Sequence, residues 1–334
     1  LTWNAPVTVA TATNGDFFDK DWIVCDDTST SPYFGHCYVE WDLASSNDLV
    51  QMSTSSDGGN TWSAAQATAD NATGLGGQPL VQPNGTVVVP FLTTTPSIAA
   101  FTSSDGGASW NSSVTISSET DHQVASSMRT EPLPSAAIDG AGTIYVVWQD
   151  CRFESGCSAN DMVMSTSSDG TNWSAVQLIP TDAVGSGADH FIPGLGIDPT
   201  TSGSSAHLAL AFYYFPNANC SLSTCQLEVG FVSSVNGGSN WSTESTLTTS
   251  PMNVAWLANT TDGYMVGDYI ATSFSGGKAY PVFVTASAPN NGQLNEALFT
   301  EQSGLAIAGG TNAALTAPVV PTHSESSKQY PPFK

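Results

Sequence analysis

The sequence predicts an all-β fold in which similar small sheets repeat as the blades of a propeller, and three observations predict it. A turn phrase of the form S-x-D-x-G-x-x-W recurs along the chain. Five strand–turn–strand units recur with it, and helical periodicity is nearly absent.

The phrase is complete at Ser55 to Trp62 and Ser103 to Trp110. It is one residue short at Ser167 to Trp173, and carries Asn236 in place of the acid at Ser234 to Trp241. The polar side chains of Asp57, Asp105, Asp169 and Asn236 are suited to accept hydrogen bonds from the next few backbone N–H groups, and the glycines supply positive φ. The tryptophan is expected to pack the hairpin against its neighbour. In order, the units begin near Asp21-Trp22-Ile23-Val24-Cys25, Gln78 to Val81, Pro134 to Asp139, Pro193 to Asp198 and Asp268 to Ala271. Their second strands are read at Cys37 to Trp41, Thr86 to Phe91, Thr143 to Trp148, His207 to Tyr213 and Ala279 to Val284.

The phrase resembles the Asp box of the sialidase-like (BNR repeat) propellers, and the resemblance spans most of the chain. It implies that the box joins the two outer strands of each blade, away from the active end, so the boxes report construction rather than chemistry. Five blades are visible, and a sixth has room only between Thr115 and Arg129 or after Thr300. Thr2 to Val9 resembles the stretch just after a box and is expected to supply the last strand of the final blade, closing the ring. Residues 1–317 are read as a single domain and Pro318 to Lys334 as an extended tail.

Six basic against 29 acidic residues give the 334-residue chain a formal charge of -23, which repels nucleic acid and anionic lipid surfaces. No apolar run is long enough to span a bilayer. The chain opens at Leu1 without a methionine or signal peptide, so a processed, secreted or cell-surface product is expected, with self-association left open. Cys25/Cys37, Cys151/Cys157 and Cys220/Cys225 form three close pairs that read as local disulfides of an oxidising compartment, and their spacing does not suit zinc. Sequons at Asn71, Asn84, Asn111, Asn172, Asn219, Asn240 and Asn259 are candidate glycosylation sites, although so Ser/Thr-rich a chain acquires several by chance. Scarce basic residues also suit acidic surroundings, where protonated carboxyls leave little net charge.

Propeller blades aim the starts of their inner strands at one axis, and unusual charges gather there: Asp19, Lys20 and Asp21, Arg129 and Glu131, Asp189 and His190, Asp268 and Tyr269. Asp150 and Arg152 come just after a second strand. Glycoside cleavage needs a protonated carboxyl beside the leaving oxygen and a second group that attacks the sugar or activates water. Asp21, Glu131, Asp150, Asp189 and Asp268 are the candidates.

The sialidase resemblance implies Tyr269 as nucleophile, Glu131 as its activator and Asp21 or Asp19 as acid/base. It also implies a three-arginine clamp, which a chain with only Arg129 and Arg152 cannot build. Lys20 is no bidentate substitute. A neutral sugar, or a uronate held by two arginines, fits better, with Lys20, Arg129, Arg152, Asp189 and His190 as substrate-binding candidates. The alternative is that both arginines simply neutralise neighbouring carboxylates.

No cofactor is required. Calcium at Asp16, Asp19, Asp21, Asp26 and Asp27 is a candidate without EF-hand spacing. His36 and His190 are candidate proton carriers, His207 and His323 weaker ones. Trp22, Trp41, Trp148, Tyr213 and Tyr214 suit either sugar stacking or packing between blades. The resulting expectation is a carbohydrate-active protein, hydrolytic or glycan-recognising, against a non-catalytic lectin or extracellular structural component.

Overall fold

The computed structural model describes residues 2, 4–13 and 15–316. The fold is a β-propeller of five blade sheets built by antiparallel pairing, with two small two-stranded sheets beside them, Asn240–Trp241 with Asn312–Ala313 and Ala258–Thr260 with Gly263–Met265. The first sheet joins Phe18–Cys25, Cys37–Leu43 and Leu49–Ser55. The second is centred on Val87–Thr93 and Ser97–Ser103, flanked by Val114–Ser118 and by the short strands Gly74–Leu75 and Leu80–Val81. Ser135–Ile138, Ile144–Asp150, Asp161–Ser167 and Gln177–Leu178 make the third, whose outer edge is completed by Leu315–Thr316. The fourth runs Asp189–Ile197, Leu208–Phe215, Gln226–Ser234 and Ser245–Thr246, and the fifth Ala271–Ser275, Lys278–Asn290 and Gln293–Thr300. All five expected second strands are present.

One expectation gives way. No strand occurs among the described residues before Phe18, so Thr2 to Val9 does not form the closing strand. Val9, Ala10 and Thr11 instead line a cleft of about 340 Å³ with Trp41, Leu43 and Gln51 of the first sheet. The five-blade reading holds, and no sixth blade-sized sheet is found among the described residues: Val114–Ser118 belongs to the second sheet, and Ala125–Ser127 is a short 3-10 turn. The tail from Pro318, with His323, lies outside the described residues.

The chain divides into two compact units, one within Leu1–Ser118 together with Ser167–Trp173, the other within Glu119–Thr166 and Ser174–Ser324. In the first, Tyr38, Val50, Met52, Val87, Val89, Phe91 and Phe101 form the core. Trp110 of the second box is buried edge-on to Tyr38 and Phe101. In the second unit, Tyr145, Val147, Met162, Leu195, Leu210, Phe212 and Trp241 pack in one cluster, and Phe191, Tyr213, Phe215, Val229 and Phe283 in another. The second strands are covered on both faces, which is why they read as continuous apolar runs.

The four box turns share one hydrogen-bond pattern. Ser55 donates its hydroxyl to Asp57 and accepts from the Gly59 amide, while Asp57 accepts from the Thr61 amide and hydroxyl at 2.9 and 2.7 Å. Ser103 with Asp105, Ser167 with Asp169, and Ser234 with Asn236 repeat it. The bonds from Thr61 hold the Asp57 carboxyl down at about 2. The fifth sheet carries no such turn after Gln293–Thr300.

Candidate functional site

Strand register separates the two ends of each sheet. Cys37 pairs with Ser55, Val87 with Ser103 and Leu208 with Ser234, so the box lies where the second strand begins. At the opposite end Phe18 pairs with Leu43 and Asp189 with Phe215, and here the charged residues collect. The Cys25–Cys37 disulfide belongs to the box end of the first sheet. His36 there bonds the Gly106 carbonyl at 3.2 Å and packs its ring near Tyr33 and Tyr38, a structural setting. The Cys151–Cys157 and Cys220–Cys225 disulfides close loops at the box-free end of the third and fourth sheets.

In the first unit the inner strand bulges between Asp19 and Trp22, with Lys20 at a φ of 54°. The bulge turns the Lys20 side chain inward, 1% exposed and 3.3 Å from the Asp19 carboxylate. Asp21, by contrast, is exposed. Glu40 and Asp42 alternate on one face of the neighbouring strand and are fully buried, and none of their four carboxyl oxygens has a hydrogen-bond partner. Gly77 makes room for Glu40, because a Cβ there would come within 2.4 Å of its carboxyl carbon. Burial, reinforced by Asp19 and Asp48 and opposed by Lys20, pushes the Asp42 carboxyl up to about 8. Burial, with Asp42 and Asp21, pushes Glu40 well above its ordinary range. Burial of a carboxyl away from compensating partners favours its protonated form, and it does so at both positions.

In the second unit both arginines are engaged. Arg129 holds Asp268 through Nε and Nη2, each at 3.0 Å, with Glu131 at 3.9 Å and Asp262 at 3.8 Å. Tyr269, next in the chain, is half-buried. Arg152 grips Asp150 at 2.9 and 2.6 Å, and Asp150 also accepts from the Trp148 indole and the Thr120 hydroxyl. Asp150 and Asp268 are thus each paired with an arginine.

A second group in this unit surrounds His190. His190 and Asp189 open the fourth sheet, Asp161 opens the third strand of the third sheet, and Asp182 sits on the loop after Gln177–Leu178. Asp161, Asp189 and His190 are buried; the Asp161 and Asp189 Oδ2 atoms and the His190 Nε2 lack hydrogen-bond partners. The Asn160 carbonyl lies 3.1 Å from His190 Nδ1; because a carbonyl only accepts, Nδ1 carries the proton. Asn160 donates its amide to Asp189 and exchanges two bonds with the His122 backbone, fixing the corner. Burial raises the Asp161 carboxyl to about 7, His190 opposing and Glu154, Asp182 and Asp150 adding to it. Burial pulls the His190 imidazole down, but the facing Glu244, Asp182 and Asp161 outweigh it and leave the ring above its ordinary value.

The remaining expectations meet other settings. Of the calcium candidates, Asp16 bonds Thr13 and Asp26 bonds Ser31. Trp148 and Tyr213 are core side chains, not exposed platforms, and Trp41 and Tyr214 are buried as well. Six of the seven sequon asparagines are exposed, Asn240 being half-buried.

Glu40, Asp42, Asp161, Asp182 and Glu244 were not among the candidates. The signal for the first two was present: Tyr38-Val39-Glu40-Trp41-Asp42 parallels Tyr145-Val146-Val147-Trp148-Gln149, placing acids where the third sheet has Val and Gln.

Repeated sheets with box turns at one end and acid groups at the other define a propeller of the sialidase-like class. The chain belongs to the family described as the BNR repeat-like domain, whose model matches residues 1–294. Among solved structures it is similar to an alpha-L-arabinanase from Penicillium chrysogenum complexed with arabinobiose, at 15% identity and TM-score 0.51, covering 82% of this chain and 76% of that one. A GH62 alpha-L-arabinofuranosidase catalytic domain from Coprinopsis cinerea matches at 11% identity and TM-score 0.48, covering 89% and 96% of the two chains. No curated protein is a significant match.

Proposed function

We propose that this protein is a secreted, carbohydrate-active propeller that hydrolyses a glycosidic bond of a neutral or weakly charged glycan. The observation that carries this reading is the Glu40–Asp42 pair. Two buried carboxyls whose protonated form burial favours share one face of Cys37–Leu43 in the first sheet, Asp42 towards its box-free end and opposite the more exposed Asp19. A carboxylic acid kept neutral beside a second carboxyl is the division of labour that acid-assisted glycoside cleavage requires. Asp42 is assigned the proton-donating role, with Asp19 or Asp21 as its partner. The engagement of Arg129 by Asp268 and of Arg152 by Asp150 argues against a sugar-carboxylate clamp. Three disulfides, with no free cysteine among the described residues, favour an oxidising compartment.

A second reading, glycan recognition without turnover, is favoured by the complete burial of both carboxyls. A panel of chromogenic neutral glycosides and a glycan array separate the two. Hydrolysis that Asp42→Asn lowers at least 100-fold, with the fold intact by circular dichroism, supports the first. Binding without hydrolysis supports the second. Neither binding nor hydrolysis overturns both.

A further inference from the structure

We propose that Asp161, Asp182 and His190 form a binding site for a divalent transition metal, with zinc the best-suited ion. The site stands apart from the Glu40–Asp42 reading and does not depend on it. One ligand atom from each of the three residues lies within 4.8 Å of the others, the one such group of three among the described residues. Proximity of acids alone would mean little. Two buried atoms supply the independent observation: the His190 Nε2 and the Asp161 Oδ2 are sequestered and have no hydrogen-bond partner.

The histidine is oriented as a ligand. Nδ1 carries the proton towards the Asn160 carbonyl at 3.1 Å, so the neutral ring directs its lone pair through Nε2. A backbone carbonyl behind a ring nitrogen is the usual outer support of a metal-binding histidine, because it fixes tautomer and ring plane together. Phe212 packs edge-on at 5.3 Å and Tyr214 stacks at 5.9 Å, holding the ring from its faces and edge. Around it stand more acids than bases. Glu244 lies 3.8 Å from Nε2, and Asp189 is 4.0 Å from His122. Glu154, anchored to the Gly185 amide at 2.7 Å, adds negative potential at Asp161. The acids that favour a second proton on the ring favour a metal cation at the same nitrogen, and the two compete for it. A buried surplus of carboxyls is costly unless protons or a cation neutralise it, and a dication with two carboxylate ligands removes most of that cost.

The donor set selects the class of ion. An imidazole nitrogen suits zinc and its neighbours, whereas calcium and magnesium prefer all-oxygen cages. Ligand lengths of about 2.0–2.2 Å require the three donors to draw together. Asp182 can supply that movement, since its loop is largely exposed and its carboxylate is otherwise bonded only to Ser186. Three protein ligands leave further positions for water.

The test uses the full chain prepared without a histidine tag and stripped with chelator. Zn²⁺, Mn²⁺ and Ca²⁺ are each titrated by calorimetry, and retained metal is counted by mass spectrometry after gel filtration. One equivalent of Zn²⁺ per chain is expected, with Asp182→Asn weakening binding at least 10-fold and His190→Gln at least 100-fold. His207→Gln and His36→Gln serve as controls that leave it unchanged. If His190→Gln fails to fold, Asp182→Asn on its exposed loop still decides the matter. Absence of stoichiometric Zn²⁺ binding, or binding indifferent to Asp182→Asn, overturns the site. Binding of Ca²⁺ in preference to Zn²⁺ overturns the class of ion.

Discussion

Arg129 and Asp268 meet through two contacts of 3.0 Å, that from Nη2 a hydrogen bond, with side chains only 13% and 14% exposed. A charge-assisted pair this sheltered ties the segment before the third sheet to the segment before the fifth. Removing one partner takes away the other's closest counter-charge. Arg129→Ala is expected to destabilise the protein by about 2–4 kcal/mol. Asp268→Ala should cost a similar amount, and the double variant clearly less than the two together. Urea denaturation of the four proteins measures the coupling; strictly additive losses would show that the pair is incidental.

Stability should fall as pH rises above about 4. Asp42 and Glu40 have folded-state values raised above those of the unfolded chain, near 4. The folded state therefore holds protons that the unfolded chain releases. The stabilisation from these groups is complete below pH 4 and is lost progressively up to about 8 for Asp42. Asp42→Asn with Glu40→Gln cannot ionise and should flatten the decline between pH 4 and 8. Denaturation midpoints across that range check this, and identical slopes in wild type and double variant would contradict it.

The boxes act in the opposite direction. Asp57, held at about 2 by the Thr61 hydroxyl and amide, stabilises the fold above pH 4 and loses its effect as the pH drops towards 2. Restoring the acid in the fourth box by Asn236→Asp should strengthen the bond that Asn240 now donates at 2.9 Å. A gain of about 0.5–1 kcal/mol is expected at pH 6 and none at pH 2. An equal effect at both pH values would show that charge is not the cause.

The Cys151–Cys157 bridge spans six positions and holds Glu154 against the Gly185 amide. Replacing both cysteines by serine should cost about 2 kcal/mol, the chain-entropy value for so short a loop, while the protein still folds. Failure to fold in thermal melts would mean that the bridge carries more than loop shape.

The repeated turns made the architecture legible, because a serine, an acid and a glycine at fixed spacing specify one local hydrogen-bond pattern wherever they occur. Second strands were legible for a related reason: burial on both faces leaves unbroken apolar runs. What the sequence concealed was pairing across it. Nothing local announces that Arg129 will be claimed by Asp268, or that Asp161 and Asp182 will face His190. Glu40 and Asp42 were overlooked because acids within a strand are ordinarily read as its solvated face, whereas here that face is enclosed. The N-terminal segment was misassigned since its likeness to post-box sequence says nothing about which edge it meets.

Leu315–Thr316 borders Gln177–Leu178, while Asn312–Ala313 borders Asn240–Trp241. Strands from the 312–316 segment thus supply the rim of sheets whose other strands lie far earlier in the chain. A ribosome-bound chain must keep those rims open until that segment emerges, so truncation just upstream of Asn312 leaves two unsatisfied margins at once.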